Sequence, residues 1–170
     1  YKVFFDNENI EIKKIYSGPC YGLIKYEDKI HFIDTDKGIM NYDPNTDKTS
    51  TLVKTPIDSR AHGISFNDST KNFYVSCSNM DAIIEYNKDF KEVKRFHLSN
   101  KIGFYGTSMH HCNDNYSMGN SLFVSMFSSS GNWKRGVFDG CVAEFDIQTG
   151  KRINNIVDNL YMPHNITSLN

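Results

Sequence analysis

The chain has 170 residues, with 19 Lys plus Arg, 20 Asp plus Glu and 6 His, for a formal net charge of −1. Near-neutrality removes the electrostatic basis for holding a nucleic acid or an acidic membrane surface, and no apolar run reaches the ~18 residues of a membrane span. Ile, Val, Phe and Tyr together number 46 against 16 for Ala, Leu, Gln and Glu, a balance that excludes a mostly helical fold.

In chain order, Lys2-Val3-Phe4-Phe5-Asp6 reads as an alternating strand, Asn7-Glu8-Asn9 as a turn, and Ile10 to Ile15 as a second strand. A new run of four strands then opens at Tyr21-Gly22-Leu23-Ile24. It continues through Lys29-Ile30-His31-Phe32-Ile33 and Ile39-Met40-Asn41-Tyr42-Asp43, turns at Pro44-Asn45-Thr46, and closes with Thr51 to Thr55. The same succession recurs from His62-Gly63-Ile64-Ser65, through Asn72 to Ser76 and Ile83 to Asn87, to Glu92 to Leu98. A third begins at His111-Cys112-Asn113 and runs through Ser121 to Ser125 and Val142 to Asp146 to Arg152 to Val157; a fourth opens at His164-Asn165-Ile166-Thr167.

The first strands of these units start 41, 49 and 53 residues apart. Four short antiparallel strands recurring at that period predict an all-β fold, a β-propeller of four-stranded antiparallel blades. The boundaries follow: residues 1–15 give the outer strands of one blade, 16–56, 57–98 and 99–158 give three blades, and 159–170 begin the first strand of the next. That inventory is about half of a closed, six-bladed propeller, so the chain is expected to be a piece of a longer protein, as its start at Tyr1 also suggests. The remainder of the propeller, or another copy, is expected to cover the open blade faces.

The segments His62-Gly63-Ile64, Asn72 to Ser76 and Ser78 to Tyr86 resemble a repeat of the NHL, streptogramin-lyase and SMP-30 or gluconolactonase group of propellers. More narrowly, Met109 to Asp114, Leu122 to Ser128, Gly131-Asn132-Trp133, Asp139-Gly140 and Met162-Pro163-His164 resemble an uncharacterised bacterial propeller family, over about residues 105–170. The resemblance implies a fold and no single activity. A lactonase of the SMP-30 type would carry a glutamate ligand at an inner-strand start, and none stands there.

In a propeller the innermost strands line the central channel, so residues at their starts converge on its mouth. Tyr21, His62, His111 and His164 hold that position, with Arg60, His110, Asn113, Asp114 and Asn165 beside them. His62, His111 and His164 are candidate ligands of a divalent metal, with an open position for water as in metal-assisted hydrolysis or elimination. That would make the protein a metal-dependent enzyme similar to the lactonases or lyases of the SMP-30 and streptogramin-lyase group. The same ring is alternatively a site for a small polar or anionic ligand, with Arg60 pairing a carboxylate or phosphate, and with His111, His164 and Asp114 as candidate catalytic acid–base groups. The third reading is that these residues only bridge backbone between blades, leaving a protein-interaction scaffold.

The third unit inserts a long loop between Phe127 and Gly140 on the same face. It carries Trp133, Lys134 and Arg135 and is read as a lid or ligand-recognition loop. The entry from Ser99 to Thr107 is expected to reach that face too. His31 and His97, on a second and a fourth strand, are expected at the blade surface, and Asp34, Asp36 and Asp43 read as turn formers. The motifs of phosphate loops, serine hydrolases and zinc proteases are absent from the sequence. Cys20, Cys77, Cys112 and Cys141 make no CxxC pair, which predicts free, mostly buried thiols and a cytoplasmic setting.

Overall fold

The computed structural model describes residues 1–6, 9–99 and 108–167. It contains β1 (Lys2–Asp6), β2 (Asn9–Lys13), β3 (Cys20–Tyr26), β4 (Lys29–Asp34), β5 (Gly38–Asp43), β6 (Lys48–Val53) and β7 (Ala61–Asn67). These are followed by β8 (Asn72–Cys77), β9 (Ala82–Tyr86), β10 (Glu92–His97), β11 (Cys112–Met118), β12 (Ser121–Met126), β13 (Gly140–Asp146) and β14 (Arg152–Leu160). Helix is confined to two short 3-10 turns, Ser78–Met80 and Trp133–Arg135, among the described residues. None of the described helices is long and apolar enough to cross a membrane.

The strands form three four-stranded antiparallel meanders, β3 to β6, β7 to β10 and β11 to β14, plus the β1–β2 hairpin. The innermost strands β3, β7 and β11 pack side by side, β7 between the other two. This is the blade arrangement of a β-propeller. Asx turns close the hairpins between third and fourth strands. The Asp43 carboxylate accepts the Asn45 amide at 2.9 Å, Asn87 accepts the Asp89 amide at 3.0 Å, and Asp146 accepts the Thr149 amide at 2.7 Å. The outer strand β14 runs to Leu160, beyond the Val157 expected from the sequence, and residues 163–167 carry no strand pairing.

The core lies between sheets. Ile33, Ile39, Phe73, Val75 and Ile84 fill the seam between the first two blades; Tyr74, Leu122, Val124, Met126 and Phe145 fill the next. Each such side chain contributes roughly 1.5–3 kcal/mol by leaving water. Because the β7–β10 sheet is covered on both faces, β9 is buried at all five positions, and strict alternation fails there.

The same geometry corrects the reading of His31, which is 3% exposed rather than on the blade surface. Its ring stacks on Phe90 at 5.7 Å and lies against Phe73 at 5.6 Å and Tyr26 at 5.8 Å, because both faces of β4 are covered. His97 is exposed, as expected. All four cysteines are free; Cys77, Cys112 and Cys141 are buried and Cys20 is exposed.

Candidate functional site at the channel mouth

All three innermost strands are irregular at their first turn. Register shifts fall between Tyr21 and Leu23, between Ala61 and Ile64, and between Cys112 and Asn115. A bulge of this kind leaves residues unpaired and re-aims their side chains. Here the bulged residues include Gly22, His62, Gly63, Asn113 and Asp114. A Cβ at Gly63 would collide with the Asp114 carboxylate and sit 2.6 Å from Ser76 Oγ, so glycine lets neighbouring inner strands approach.

The resulting rings form a continuous chain. Tyr21 lies 4.4 Å from His62, His62 lies 6.1 Å from His111, and His111 packs on Phe127 at 4.4 Å and Trp133 at 4.6 Å. Phe127 in turn meets His164 at 5.1 Å. His62 and His111 are 6% and 5% exposed, whereas His164 is exposed.

Hydrogen bonds fix two of these imidazoles. His62 Nδ1 donates to the Arg60 carbonyl at 2.9 Å, and His164 Nδ1 donates to the Met162 carbonyl at 2.8 Å. A carbonyl only accepts, so each Nδ1 carries a proton, and in the neutral ring it is Nε2 that holds the lone pair. The two are equivalent: in each the acceptor is two residues upstream, and Arg60 and Met162 both have φ of 47°. Ser78 Oγ, 3.0 Å from His62 Nδ1, donates to the Cys112 carbonyl at 2.6 Å and ties this histidine to the next blade. His111 differs, since its Nδ1 is buried without a hydrogen-bond partner among the described residues.

Burial pushes the His111 imidazole down to about 4, and the charge of Arg60 and Lys134, with that of His62 and His164 whenever they are protonated, pushes the same way. Burial also lowers His62. Both are neutral at pH 7. Asp114 is shifted upward by burial, although its carboxylate accepts the Asn115 and Ile166 amides at 2.9 Å each. Below the ring, a cleft of about 570 Å³ runs along the inner strands, lined by residues that include Ile64, Ser65, Asp114, Asn115, Asn165 and Ile166.

The remaining predicted residues divide by position. Arg60 and Lys134 are exposed at the rim, and Lys134 Nζ sits over the Trp133 ring at 5.7 Å. Arg135 is exposed, and neither it nor Arg60 forms a salt bridge with a described residue. His110 is buried and donates from Nδ1 to the Ser128 carbonyl at 2.8 Å, beneath the inserted loop. Asn113 is buried, and its carbonyl accepts the Ser76 hydroxyl at 2.8 Å. The inserted loop is pinned: Trp133 Nε1 donates to the Ser108 carbonyl at 3.1 Å, and Ser128 Oγ donates to Asp139 at 2.6 Å. The expected contribution of the 100–107 entry lies outside the described residues.

No group of three or more His, Cys, Asp or Glu side chains among the described residues is placed to hold a metal ion. His62 faces His111 directly, whereas Phe127 packs between His111 and His164 and Trp133 packs against His111. The donor set does not fit the metal expectation.

Sequence reasoning missed Asp81. It is fully buried, and its carboxylate accepts the amides of Met109, His110 at 2.7 Å and Cys112 at 3.3 Å, which sets the backbone around His111. The signal is an Asp directly before the third strand in two successive units, Asp81 before Ala82 and Asp139 before Gly140.

Neither a family model nor a curated protein matches the chain. Solved structures do. Sqt1 from Saccharomyces cerevisiae superposes with a TM-score of 0.56 at 13% identity, over 82% of this chain and 36% of that one. A catalytically inactive virginiamycin B lyase from Staphylococcus aureus, determined with quinupristin, gives a TM-score of 0.50 at 14% identity, over 76% of this chain and 42% of that one. The chain thus spans less than half the length of these two structures. Both neighbours are β-propellers, and at these identities the likeness establishes that this chain has the propeller fold.

Proposed function

We propose that the channel mouth is a binding site for a small polar ligand carrying an anionic group. The observation that supports this is the convergence of Arg60, His164 and Lys134 around the buried, neutral His62 and His111. Arg60 supplies a forked donor for a carboxylate or phosphate, and with Nδ1 committed to a backbone carbonyl in His62 and His164, Nε2 is the ring nitrogen left to face the ligand. Asp114, at the cleft below, is the acid that completes a polar floor. The two-stranded β1–β2 sheet beside three four-stranded ones supports reading the chain as part of a larger propeller, and the free thiols support a reducing compartment.

Titration with inorganic phosphate, followed through the imidazole signals of the six histidines by NMR, tests the site. Saturable shifts are expected at His62, His111 and His164, with His31 and His97 unmoved. Arg60→Ala weakens binding about tenfold or more, the scale of a charge-assisted hydrogen bond. Unmoved ring signals, or shifts indifferent to Arg60, refute the proposal.

A further inference from the structure

The rim of this site is aromatic as well as cationic, which narrows the ligand class. Tyr21 is 42% exposed, on one side of His62, and Trp133 is half-buried, on the far side of His111. Neither ring is consumed by the core: both present surface at the mouth, beside the exposed Arg60, His164 and Lys134. Trp133 is held in place by its indole hydrogen bond to the Ser108 carbonyl at 3.1 Å, so this surface is preorganised. A solvated inorganic anion would use the cations and leave two large rings wet. A flat ring bearing a carboxylate would use both, stacking on Tyr21 or Trp133 while Arg60 takes the charge.

From this arrangement we infer that the preferred ligand is an aromatic carboxylate, its ring stacked on Tyr21 or on Trp133 at the mouth. The inference rests on the anion-site reading above and goes beyond it by naming the ligand's second half. The inserted loop then contributes the wall that selects for a ring, as a fixed platform rather than a moving cover.

Acetate and 2-naphthoate carry the same charge and differ in the ring, so calorimetric titration of the whole chain with each isolates the aromatic contribution. Expected is about tenfold tighter binding of 2-naphthoate, with quenching of emission from Trp133, the one tryptophan in the sequence. The preference should fall to within about threefold in Tyr21→Leu or in Trp133→Leu, whichever ring stacks, and in the double variant; a preference that survives in the double variant overturns the inference. Tyr21 on β3 and Trp133 in the loop between β12 and β13 belong to separate blades, which guards against one variant that misfolds. Equal binding of the two acids overturns the aromatic preference and leaves the anion site standing. Failure of both acids and of phosphate overturns both readings. Tight 2-naphthoate binding that survives Arg60→Ala places the ring on apolar surface elsewhere, and also overturns the inference.

Discussion

The β7–β10 sheet and the β1–β2 hairpin are written in the same alternating, aromatic-rich pattern and end in opposite environments. Phe73 on β8 is 0% exposed, whereas Phe5 on β1 is 79% exposed. β9 is buried at every position, while β2 is exposed at every position. The strands are equally well formed. What differs is the neighbours: β7–β10 lies between two other sheets, and those seams hold the core. Burial in this molecule is therefore set by sheet-on-sheet stacking and not by the strand's own sequence. The same rule orders the histidines, since His62 and His111 stand at seams and are buried while His164 is exposed.

The largest effect that sharpens this contrast is expected for Phe73→Ala. Its ring packs against Tyr26, Phe66 and Phe90 within about 5 Å, and its removal should cost about 3–5 kcal/mol in chemical denaturation. A loss below about 1 kcal/mol would break the comparison, by showing that the seam is not the core.

A smaller effect is expected from pH. His31, His62 and His111 are all held below the ordinary imidazole range by burial, so the unfolded chain binds more protons than the folded one as pH falls below about 6.5. Their contribution is fully present above that pH and is lost on acidification, for His111 as pH passes about 4. For His111 the loss should be on the order of 2 kcal/mol between pH 7 and pH 4. Asp114 acts in the opposite sense, because its raised carboxyl gains by protonation. Unfolding free energies measured across this range in the wild type and in His111→Gln check the sign: the variant should show the shallower fall. Identical slopes would mean that His111 is not a buried neutral base.

The smallest effect belongs to the hairpin, where Phe5→Ala should change stability by less than about 0.5 kcal/mol. A loss near that of Phe73→Ala would mean that something covers β1 in solution, and the two regions would no longer differ in kind.

Much of the site was legible in the sequence, because a repeat aligns its own equivalent positions. Tyr21, His62, His111 and His164 can be superimposed from the period alone, and the inserted loop stands out by its length, with Trp133 reaching His111 as strand polarity requires. Other features were not legible. His31 occupies a strand position that alternation assigns to the surface, and only the sheet stacked against β4 buries it. Asp81 looks like a turn residue in sequence; its role depends on three backbone amides from another blade, about thirty residues away. The metal expectation draws on the same alignment, but equivalent positions in a repeat give the same direction without giving the same depth: no three-donor group stands among the described residues, where Phe127 packs between His111 and His164 and Trp133 against His111.

The sequence by itself determined the class of strand, the four-strand repeat, the Asx turns and the identity of the residues at each inner-strand start, because all of these depend on local period and turn chemistry. The tertiary structure alone decided which faces are buried, which histidine nitrogens remain free, and that the buried His62 and His111 are held neutral among aromatic side chains. Those properties come from contacts between blades, where bulged inner strands and buried carboxylates bring together groups about fifty residues apart in the chain.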